Sequence, residues 1–296
     1  MKKILQIGTI GQLGWELLRT CAPLGEVVSL DYPEVDLTDS NGLRELVRSV
    51  KPDIIINAAA YTNVDKAESE PELARAINAI GPGVLAEEAE KIDAVMVHYS
   101  TDYVFDGAKG SPYVETDQPN PLNVYGLTKL EGEQAVAASG CVNLVLRTSW
   151  VYSMRQGGFV TKVLQWAREQ EIMRVVDDQI SSPTSARMLA EITALILAQG
   201  RSDVFGYLRE KSGLYHCTGG GSCSRYEWAK AIIDLDPHKG EQRAKSIQPV
   251  SSEIFGNTVI RPKLSILNNA LIQKRLDIYP SNWINDLGLV ASGMLH

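Results

Sequence analysis

The sequence predicts an α/β protein built on a doubly wound parallel sheet, with a smaller, interleaved C-terminal substrate domain. Two observations predict this fold class. Short apolar runs alternate with segments of helical spacing as far as residue 152, which is typical of parallel strands covered by helices on both faces. From residue 153 onward the alternation becomes irregular, as expected where a second unit is interleaved with the sheet.

Length and composition restrict the class of protein. At 296 residues the chain can bury a large core in one large or two modest domains. With 44% hydrophobic and 22% charged residues, a disordered or low-complexity protein is excluded. The net charge of −7, without a lysine or arginine cluster, argues against nucleic acid as the main partner. We expect a soluble, cytoplasmic protein, because the N-terminal apolar run is too short for a signal peptide and no apolar stretch reaches the roughly 18 residues of a membrane span.

Four cysteines, Cys21, Cys141, Cys217 and Cys223, are scattered along the chain. They have neither the paired spacing of a metal site nor the pattern of a secreted disulfide framework. We therefore expect reduced packing residues, and we predict no metal site.

A glycine turn follows the first predicted strand, at residues 3–7, and precedes a segment of helical spacing. The glycines are Gly8, Gly11 and Gly14. This order is that of a Rossmann-like fold, in which bare glycine backbone and a helix N-terminus bind a pyrophosphate. The spacing is G-x-x-G-x-x-G and not the usual G-x-G-x-x-G. On this motif alone, a simple tight turn remains the alternative.

A second strand, predicted at residues 27–31, ends in Asp31. An acidic residue about 20 residues after the turn is placed to bond a ribose hydroxyl. Its charge would repel a 2′-phosphate, and no arginine stands beside it, so the residues alone favour NADH over NADPH. A further short strand is predicted to end at Asp36 and Leu37, which we assign to the adenine edge. Asp36 is alternatively a cap of the next helix, a role for which Asp39 competes.

Small and polar residues follow the next two predicted strands, at 51–61 and 94–105. Alanines at the end of a parallel strand leave room for a ligand, and hydroxyls at the end of the neighbouring strand would face the same crevice. His98, in the apolar middle of its strand, is interpreted as structural, as is Asn78 in the helix predicted at 68–92. The crevice residues are Ala58, Ala60, Tyr61, Thr62, Val64, Ser100, Thr101 and Asp102.

Tyr125 and Lys129 lie four residues apart in a helix predicted over 125–138. At this spacing the two side chains share one helix face, about 5–6 Å apart at Cβ. A cation beside a phenol lowers its pKa towards working pH, as a general acid or base requires. Alone the pair is a weak signal, and a solvated tyrosine at a helix start is the alternative. The neighbouring glycine turn and polar strand ends favour catalysis.

A sixth strand, at residues 142–152, carries Trp150 near its end and closes the regular pattern. We predict an NAD(P)-binding domain at 1–152 and a mainly substrate-binding domain at 153–296. Segments near 184–200 and 213–218 are expected to return to the NAD(P)-binding domain. The elements predicted after residue 152 are helices at 159–170, 185–199 and 224–235, strands near 173–184 and 213–220, and a helix at the end of 260–276.

In their order along the chain, these residues resemble the extended short-chain dehydrogenases and, more narrowly, the dTDP-4-dehydrorhamnose reductases. Each motif alone is modest evidence, whereas six in order make the resemblance specific. The motifs are GQLGWEL at 11–17, NAAAYTNVDKAESEPELA at 57–74, HYSTDYVFDG at 98–107, PLNVYGLTKLEGE at 121–133, RTSWVY at 147–152 and RPKLSIL at 261–267.

The resemblance implies roles for individual residues. Tyr125 matches the family's proton donor, Lys129 the lysine that holds the nicotinamide ribose and lowers the tyrosine pKa, and Thr101 the hydroxyl that binds the reacting oxygen. Positions near the sugar are Thr62, Val64, Thr101, Asp102, Trp150 and Arg261. Positions near the cofactor are Gly8, Gly11, Gln12, Leu13, Gly14, Asp31, Asp36, Leu37, Ala58, Ala60, Tyr61, Thr62, Tyr99, Tyr125 and Lys129.

The implied reaction is reduction of dTDP-4-dehydro-L-rhamnose to dTDP-L-rhamnose, with NADPH or NADH as hydride source. Members of the family often accept both cofactors, which tempers the inference from Asp31. Lys263 and Leu264 depart from the family, which more often has a small residue and an asparagine there. Some relatives form dimers around a cation held by glutamates. Glu16 matches one such position but Arg187 occupies another, so we predict a monomer or a dimer without a bridging metal.

Other functions on the same fold stay open. One is a regulatory subunit without reductase activity, against which the intact Thr101, Tyr125 and Lys129 argue. Another is a sugar-nucleotide epimerase or dehydratase. Tyr103 and Val104 follow Asp102 where a dehydratase would have further acidic residues, which disfavours the dehydratase. A related 4-ketoreductase acting on another sugar is the last alternative.

Overall fold

The computed structural model describes residues 1–155, 157–256 and 259–293. Its strands in these ranges are β1 (Lys2–Ile7), β2 (Gly25–Leu30), β3 (Ile54–Asn57), β4 (Val95–Thr101), β5 (Asn143–Thr148), β6 (Val151–Tyr152), β7 (Ile172–Val176), β8 (Ile180–Ser181), β9 (Thr184–Ser185), β10 (Gly213–His216), β11 (Cys223–Ser224) and β12 (Ser246–Val250). Its α-helices are α1 (Gln12–Cys21), α2 (Ser40–Val50), α3 (Val64–Ala67), α4 (Pro71–Arg75), α5 (Gly81–Lys91), α6 (Val124–Ala138), α7 (Phe159–Glu169), α8 (Ala186–Gln199), α9 (Val204–Arg209), α10 (Arg225–Leu235), α11 (Ala270–Leu276) and α12 (Trp283–Ser292).

Six strands form one parallel sheet in the order β10-β5-β4-β3-β1-β2. Ile4 on β1 pairs with Val27 on β2 and with Ile54 on β3. The chain thus runs outward from β1 to β2, then returns and continues on the other side of β1. The carboxyl ends of β1 and β3, where the direction changes, are where ligands of open α/β sheets bind. This topology confirms the predicted fold class.

Both faces of the sheet are buried. Ile4 and Ile54 lie in the core that includes residues of α1 and α8, whereas their neighbours Leu5 and Ile55 lie in the core that includes residues of α2 and α5. Successive strand residues point to opposite faces, so two apolar faces require continuous apolar runs. The sequence of the central strands has such runs for this reason.

The helix predicted at 68–92 contains a π-helical turn, Ala76–Ile80, between α4 and α5. Asn78 in this turn is fully buried. Its side chain accepts a hydrogen bond from the Tyr61 backbone N–H at 2.8 Å, and donates to the Tyr61 carbonyl and the Thr128 hydroxyl at 3.1 Å each. Asn78 therefore fixes the loop after β3 against α6, in agreement with its predicted packing role.

The strand predicted to end at Asp36 and Leu37 is wrong, because turns occupy residues 32–35 and Asp36 begins another. Asp36 accepts hydrogen bonds from the backbone N–H and the hydroxyl of Thr38, at 2.8 and 2.7 Å. The cap of α2 is Asp39, which accepts from the N–H groups of Asn41 and Gly42. Asp39, and not Asp36, begins the helix.

The C-terminal half completes the sheet and also forms a second layer. Tyr215 on β10 pairs with Leu146 on β5, and α8 packs against α1, where the Thr20 hydroxyl donates to the Ala190 carbonyl at 3.2 Å. The pairs β7–β12 and β8–β11 belong to the second layer, which has its own core around Trp228. The elements α9, β12 and α12 were not predicted.

All four cysteines are buried and free. Among the helices of the described residues, none is long and apolar enough to cross a lipid bilayer. The helix α10 begins with a capping box, since Ser224 and Glu227 each accept a hydrogen bond from the other's backbone N–H.

Candidate active site

The carboxyl ends of the central strands open into a cleft of about 460 Å³. Thr101 at the end of β4 lines this cleft together with Tyr125 and Lys129 on α6. Three side chains from two distant segments therefore meet beside the glycine loop. The other predicted site residues that line the cleft are Gly8, Gly11, Gln12, Leu13, Asp31, Ala58, Ala60, Thr62, Tyr99 and Trp150.

The start of α6 is fixed against the end of β4. Asn123 caps the helix by accepting a hydrogen bond from the Gly126 N–H at 2.8 Å. A Cβ at Gly126 would lie 2.2 Å from the Tyr103 carbonyl oxygen, so only glycine permits this approach. The rings of Tyr103 and Tyr125 meet edge to face, 5.7 Å between centroids. This packing places Tyr125 beside Thr101.

Of the three glycines in the loop, Gly11 is the one whose Cβ position is free of close contact. A Cβ at Gly14 would lie 1.7 Å from the Gly8 carbonyl oxygen, whereas one at Gly11 would meet nothing closer than 3.8 Å. Gly11 is also the N-cap of α1 and provides no side-chain cap, so the first N–H groups of the helix are open to a ligand. These features fit the pyrophosphate of a dinucleotide. The buried Thr148 hydroxyl, which lines the cleft and has no partner among the described residues, is a further group available to a ligand.

Asp31 lies at the outer end of the cleft, after β2. One carboxylate oxygen accepts a hydrogen bond from the Ile10 N–H at 2.7 Å, and the other from the Tyr32 N–H at 2.9 Å. Asp31 therefore orders the glycine loop through Ile10, in addition to any bond with a ribose. The sequence reasoning did not anticipate this second role.

Lys129 is 2% exposed. Its ammonium donates to the Tyr99 carbonyl oxygen at 2.6 Å and lies 3.4 Å from Nε2 of His98. Burial lowers the pKa of Lys129 to about 8, although the nearby Glu133 carboxylate raises it. Glu133 is itself held by two hydrogen bonds from Arg147, at 2.8 and 2.6 Å. The ammonium is thus fixed by the Tyr99 carbonyl oxygen. Because the pKa of Lys129 is about 8, its charged form is only moderately favoured near neutral pH.

The pKa of Tyr125 is raised above its ordinary value, which corrects the expectation that Lys129 lowers it. Burial is the main cause, the Asp102 and Tyr103 groups raise it further, and a hydrogen bond with Thr101 lowers it. In the chain alone, Tyr125 is a protonated phenol at neutral pH.

Asp102 adjoins Thr101 but is 2% exposed. Its oxygens accept hydrogen bonds from the hydroxyls of Thr101 at 3.2 Å, Ser181 at 3.2 Å and Ser265 at 2.5 Å. Burial raises the pKa of Asp102 to about 6, and these hydroxyls oppose the rise. Asp102 thus links the end of β4 to two segments of the C-terminal half.

Trp150 lines the cleft from a strained backbone conformation, with a φ of 44°. One stacking partner is Trp228, with ring centroids 5.4 Å apart. The guanidinium of Arg225 lies 3.7 Å from the centre of the Trp150 ring. The ring is therefore held in place by the second layer and not by the sheet.

The remaining predicted site residues lie outside this cleft in the described part of the chain, and their roles stay predictions. Gly14 packs under Gly8, Leu37 lies in a core, and the Tyr61 hydroxyl donates to Glu70 at 2.6 Å. Val64 begins α3, while Arg261 lines a second cleft. Asp36 and Asp102 are held by the contacts given above.

The second cleft has a volume of about 830 Å³ and lies in the C-terminal half. Phe159, Trp166 and Arg225 line it together with Arg261. Arg225 was not predicted, because the residue after a serine helix cap reads as an ordinary solvated position. Other residues of the 460 Å³ cleft that were not assigned to the site are Ile10, Ala59, Thr148, Ser149 and Val151, of which the last three fall in the RTSWVY motif.

A family model and the sequences of known proteins both match this chain over nearly its full length. The family model described as RmlD substrate binding domain matches residues 1–295. A dTDP-4-dehydrorhamnose reductase of Burkholderia thailandensis is 41% identical, with 99% of each chain covered. One of Salmonella typhimurium is 39% identical, with 95% of this chain and 94% of the relative covered.

Solved structures agree with these relatives. The crystal structure of a dTDP-4-dehydrorhamnose reductase from Clostridium acetobutylicum superposes with a TM-score of 0.90 at 34% identity, and covers 99% of this chain and 100% of its own. The enzyme from Bacillus anthracis, solved in complex with NADP, gives a TM-score of 0.88 at 32% identity, with 99% of each chain covered. The likeness extends over both layers of the fold.

Proposed function

Because the chain belongs to the dTDP-4-dehydrorhamnose reductase family, we propose that it reduces dTDP-4-dehydro-L-rhamnose to dTDP-L-rhamnose with NADPH or NADH. The convergence of Thr101, Tyr125 and Lys129 on one cleft with the glycine loop supports this most strongly. Reduction of a carbonyl needs a proton donor, a hydrogen-bond donor for the reacting oxygen and a bound hydride source.

The cofactor would be held by the glycine loop, the alanines after β3 and the lysine. Gly11 and the first turn of α1 would receive the pyrophosphate, Asp31 the adenosine ribose, and Lys129 the nicotinamide ribose. When bound, NADPH or NADH supplies the hydride that reduces the carbonyl carbon.

Tyr125 donates the proton in this proposal. Its raised pKa keeps the phenol protonated at neutral pH, as a proton donor must be. The O–H proton moves to the substrate oxygen as negative charge develops there. The Thr101 hydroxyl, close enough to Tyr125 to affect its pKa, would turn its one proton from Asp102 to the same oxygen and stabilise that charge.

Lys129 has two tasks. Its ammonium, fixed by the Tyr99 carbonyl, binds the ribose, and its positive charge stabilises the phenolate that Tyr125 becomes. Because burial has lowered the pKa of Lys129 to about 8, this charge is present at neutral pH and is lost in mild alkali.

The sugar would lie between Tyr125 and the Trp150 ring, and the nucleotide in the 830 Å³ cleft. That cleft presents aromatic side chains, Phe159 and Trp166, that suit a base. Arg261 lines it as well, held by Asp65 at 2.7 and 2.8 Å.

The test is to mix the purified protein with NADPH or NADH and enzymatically prepared dTDP-4-dehydrorhamnose, and to follow the absorbance of the reduced cofactor. A reductase consumes one cofactor per ketone. An epimerase leaves the cofactor unchanged, and so does a regulatory subunit. Absence of consumption with active substrate would refute the proposed activity, and the identity of the product by NMR would settle the stereochemistry.

We also propose a monomer or a dimer without a bridging metal. Glu16 accepts from Arg19 at 3.3 Å, and Arg187 pairs with Glu191 at 2.8 Å, so both positions already have partners within the chain. A guanidinium cannot ligate a cation. Sedimentation velocity with magnesium and with EDTA should give the same mass, and a magnesium-dependent dimer would contradict this.

A further inference from the structure

We propose that Arg225 binds the diphosphate of the nucleotide-sugar substrate and so determines specificity for a charged nucleotide carrier. This rests on the proposed function, and it assigns a role to a residue that no sequence motif indicated. Arg225 is the first residue of α10 and lines the 830 Å³ cleft. Its guanidinium lies 3.7 Å from the centre of the Trp150 ring, and Trp150 lines the 460 Å³ cleft. Arg225 therefore stands where the two clefts adjoin.

The charged side chains that line the larger cleft in the described part of the chain are all cationic. Lys162, Arg174, Arg225 and Arg261 line it, and no aspartate or glutamate does so among the described residues. Four cationic side chains without a carboxylate attract an anion and repel a cation. The charge of the cleft thus fits a phosphorylated ligand.

The charge of Arg225 is balanced by no carboxylate in contact with it among the described residues. Arg225 is partly buried, yet it takes part in none of the ion pairs found in the described ranges. Tyr103, a neutral phenol, is its hydrogen-bond partner. Asp102 acts on it only at longer range, and that carboxylate already accepts three hydroxyl hydrogen bonds. Arg261, by contrast, is paired with Asp65. Removing a cation from water without a partner is costly, and an anionic ligand would offset that cost.

The order of groups in the substrate matches this position. In a nucleotide sugar the diphosphate lies between the sugar and the base. With the reacting carbonyl at Tyr125 and the base in the larger cleft, the diphosphate falls at the junction of the two. Arg225 is the cation at that junction.

The guanidinium is also held in place for this task. Besides Trp150, the Phe159 and Trp228 rings lie 5.0 and 5.7 Å from it. Stacking of this kind leaves the in-plane N–H groups accessible. One side-chain hydrogen bond joins Arg225 to Tyr103, and the remaining N–H groups can form paired hydrogen bonds with phosphate oxygens. The N–H of Glu227, in the first turn of α10, is already capped by Ser224, so the side chain, and not the helix end, would bind the anion.

The experiment measures binding of thymidine, dTMP and dTDP to the full chain by calorimetry at low salt. Arg225→Met keeps the apolar stem and removes the charge, and Arg225→Gln serves if the first variant does not fold. Arg243→Met is the matched control, because Arg243 is exposed and lines neither cleft. We expect Arg225→Met to weaken dTDP binding by about ten- to a hundredfold, as for loss of a charge-assisted hydrogen bond. Thymidine and NADPH binding should stay within about twofold, as should all ligands with the control.

Two results would overturn the assignment. Unchanged dTDP affinity in the Arg225 variants would remove Arg225 from the diphosphate site. Equal weakening of thymidine and dTDP would mean that Arg225 acts only by supporting Trp150. Either result, with normal NADPH consumption by the wild type, leaves the proposed reductase intact. Failure of the wild type both to bind dTDP and to consume NADPH would reject both proposals together.

Discussion

The Nζ atom of Lys129 lies 2.6 Å from the carbonyl oxygen of Tyr99 and donates a hydrogen bond to it. Tyr99 is in β4, two residues before Thr101. The strand that carries the Thr101 hydroxyl therefore also positions Lys129 of α6. The bond orients the lysine, and burial lowers its pKa to about 8. The pH dependence of the enzyme follows from this pair of effects.

We predict that kcat/KM falls above about pH 8. Burial disfavours the ammonium form, so Lys129 loses its proton as pH rises through about 8, and with it the charge that supports the ribose and the phenolate. Lys129→Arg, whose side chain stays charged, should lower the rate but move the alkaline limb to higher pH. Steady-state rates from pH 6 to 10 test this, and an unmoved limb in Lys129→Arg would assign it to another group.

Tyr125→Phe should lower kcat by about a hundred- to ten-thousandfold, the usual contribution of a positioned proton donor. Binding of NADPH, followed by fluorescence, should change little, because the ring is retained. Tyr207→Phe is a suitable control, since that residue lines neither cleft. Near-normal turnover of Tyr125→Phe would show that another group supplies the proton.

Gly14→Ala should lower stability, whereas Gly11→Ala should weaken NADPH binding. At Gly14 the added Cβ would lie 1.7 Å from a backbone oxygen, so the variant should lose stability, seen as a lower Tm. At Gly11 nothing lies within 3.8 Å, so the variant should fold normally, and its methyl group should occupy cofactor space. We expect unchanged Tm and at least about tenfold weaker NADPH binding for Gly11→Ala. Wild-type affinity in that variant would place the pyrophosphate elsewhere.

Asp102 should make stability depend on pH in an unusual direction. Its pKa is raised to about 6 by burial, so the folded state holds this proton more tightly than the unfolded chain does. The contribution of Asp102 to stability therefore increases as pH falls from about 7 to 5. The difference in unfolding free energy between wild type and Asp102→Asn should shift by about 1 kcal/mol over this range. Urea unfolding at both pH values measures it, and an unchanged difference would mean that the folded-state pKa of Asp102 does not lie between 5 and 7.

Glu88 should have the opposite effect in acid. Hydrogen bonds from Arg48, Lys91 and Arg44 lower its pKa to about 2, against the effect of burial. The stabilisation is fully present above the unfolded pKa, near 4.5, and is lost as pH falls through about 2. Glu88→Gln should cost about 1–3 kcal/mol at pH 7 and leave kcat unchanged, because three cations lose their shared partner. Glu87→Gln, which removes an exposed partner of Arg44, is the control. Equal effects of the two variants would contradict a special role for Glu88.

Local patterns predicted much of the fold and of the site. The spacing of Tyr125 and Lys129 and the order of strand, glycine turn and helix are determined within one or two turns of chain, and the structure has both. Gly8 and Gly11 line the cleft, whereas Gly14 packs under Gly8. Strand ends were less accurate, because apolar character continues past the last paired residue. The strand predicted at 51–61 pairs only from Ile54 to Asn57, as its alanines line the cleft instead.

Properties that depend on distant contacts could not be predicted. The pKa of Tyr125 was expected to fall, and burial by other segments raises it. Asp102 accepts hydrogen bonds from Ser181 and Ser265, 79 and 163 residues away. Arg225 reaches Trp150 only because the second layer folds back onto the sheet. No periodicity within a short window carries this information.

The pairing of β10 with β5 has a consequence for how the protein is made. This strand begins at Gly213, so a nascent chain must extend well beyond the nucleotide-binding region before the edge of the sheet can close. A truncated fragment ending at residue 152 would lack both that strand and α8, and would expose Leu146 and the apolar face beneath the missing helix. During synthesis, α8 and β10 therefore emerge late. We expect the fragment that ends at residue 152 to aggregate.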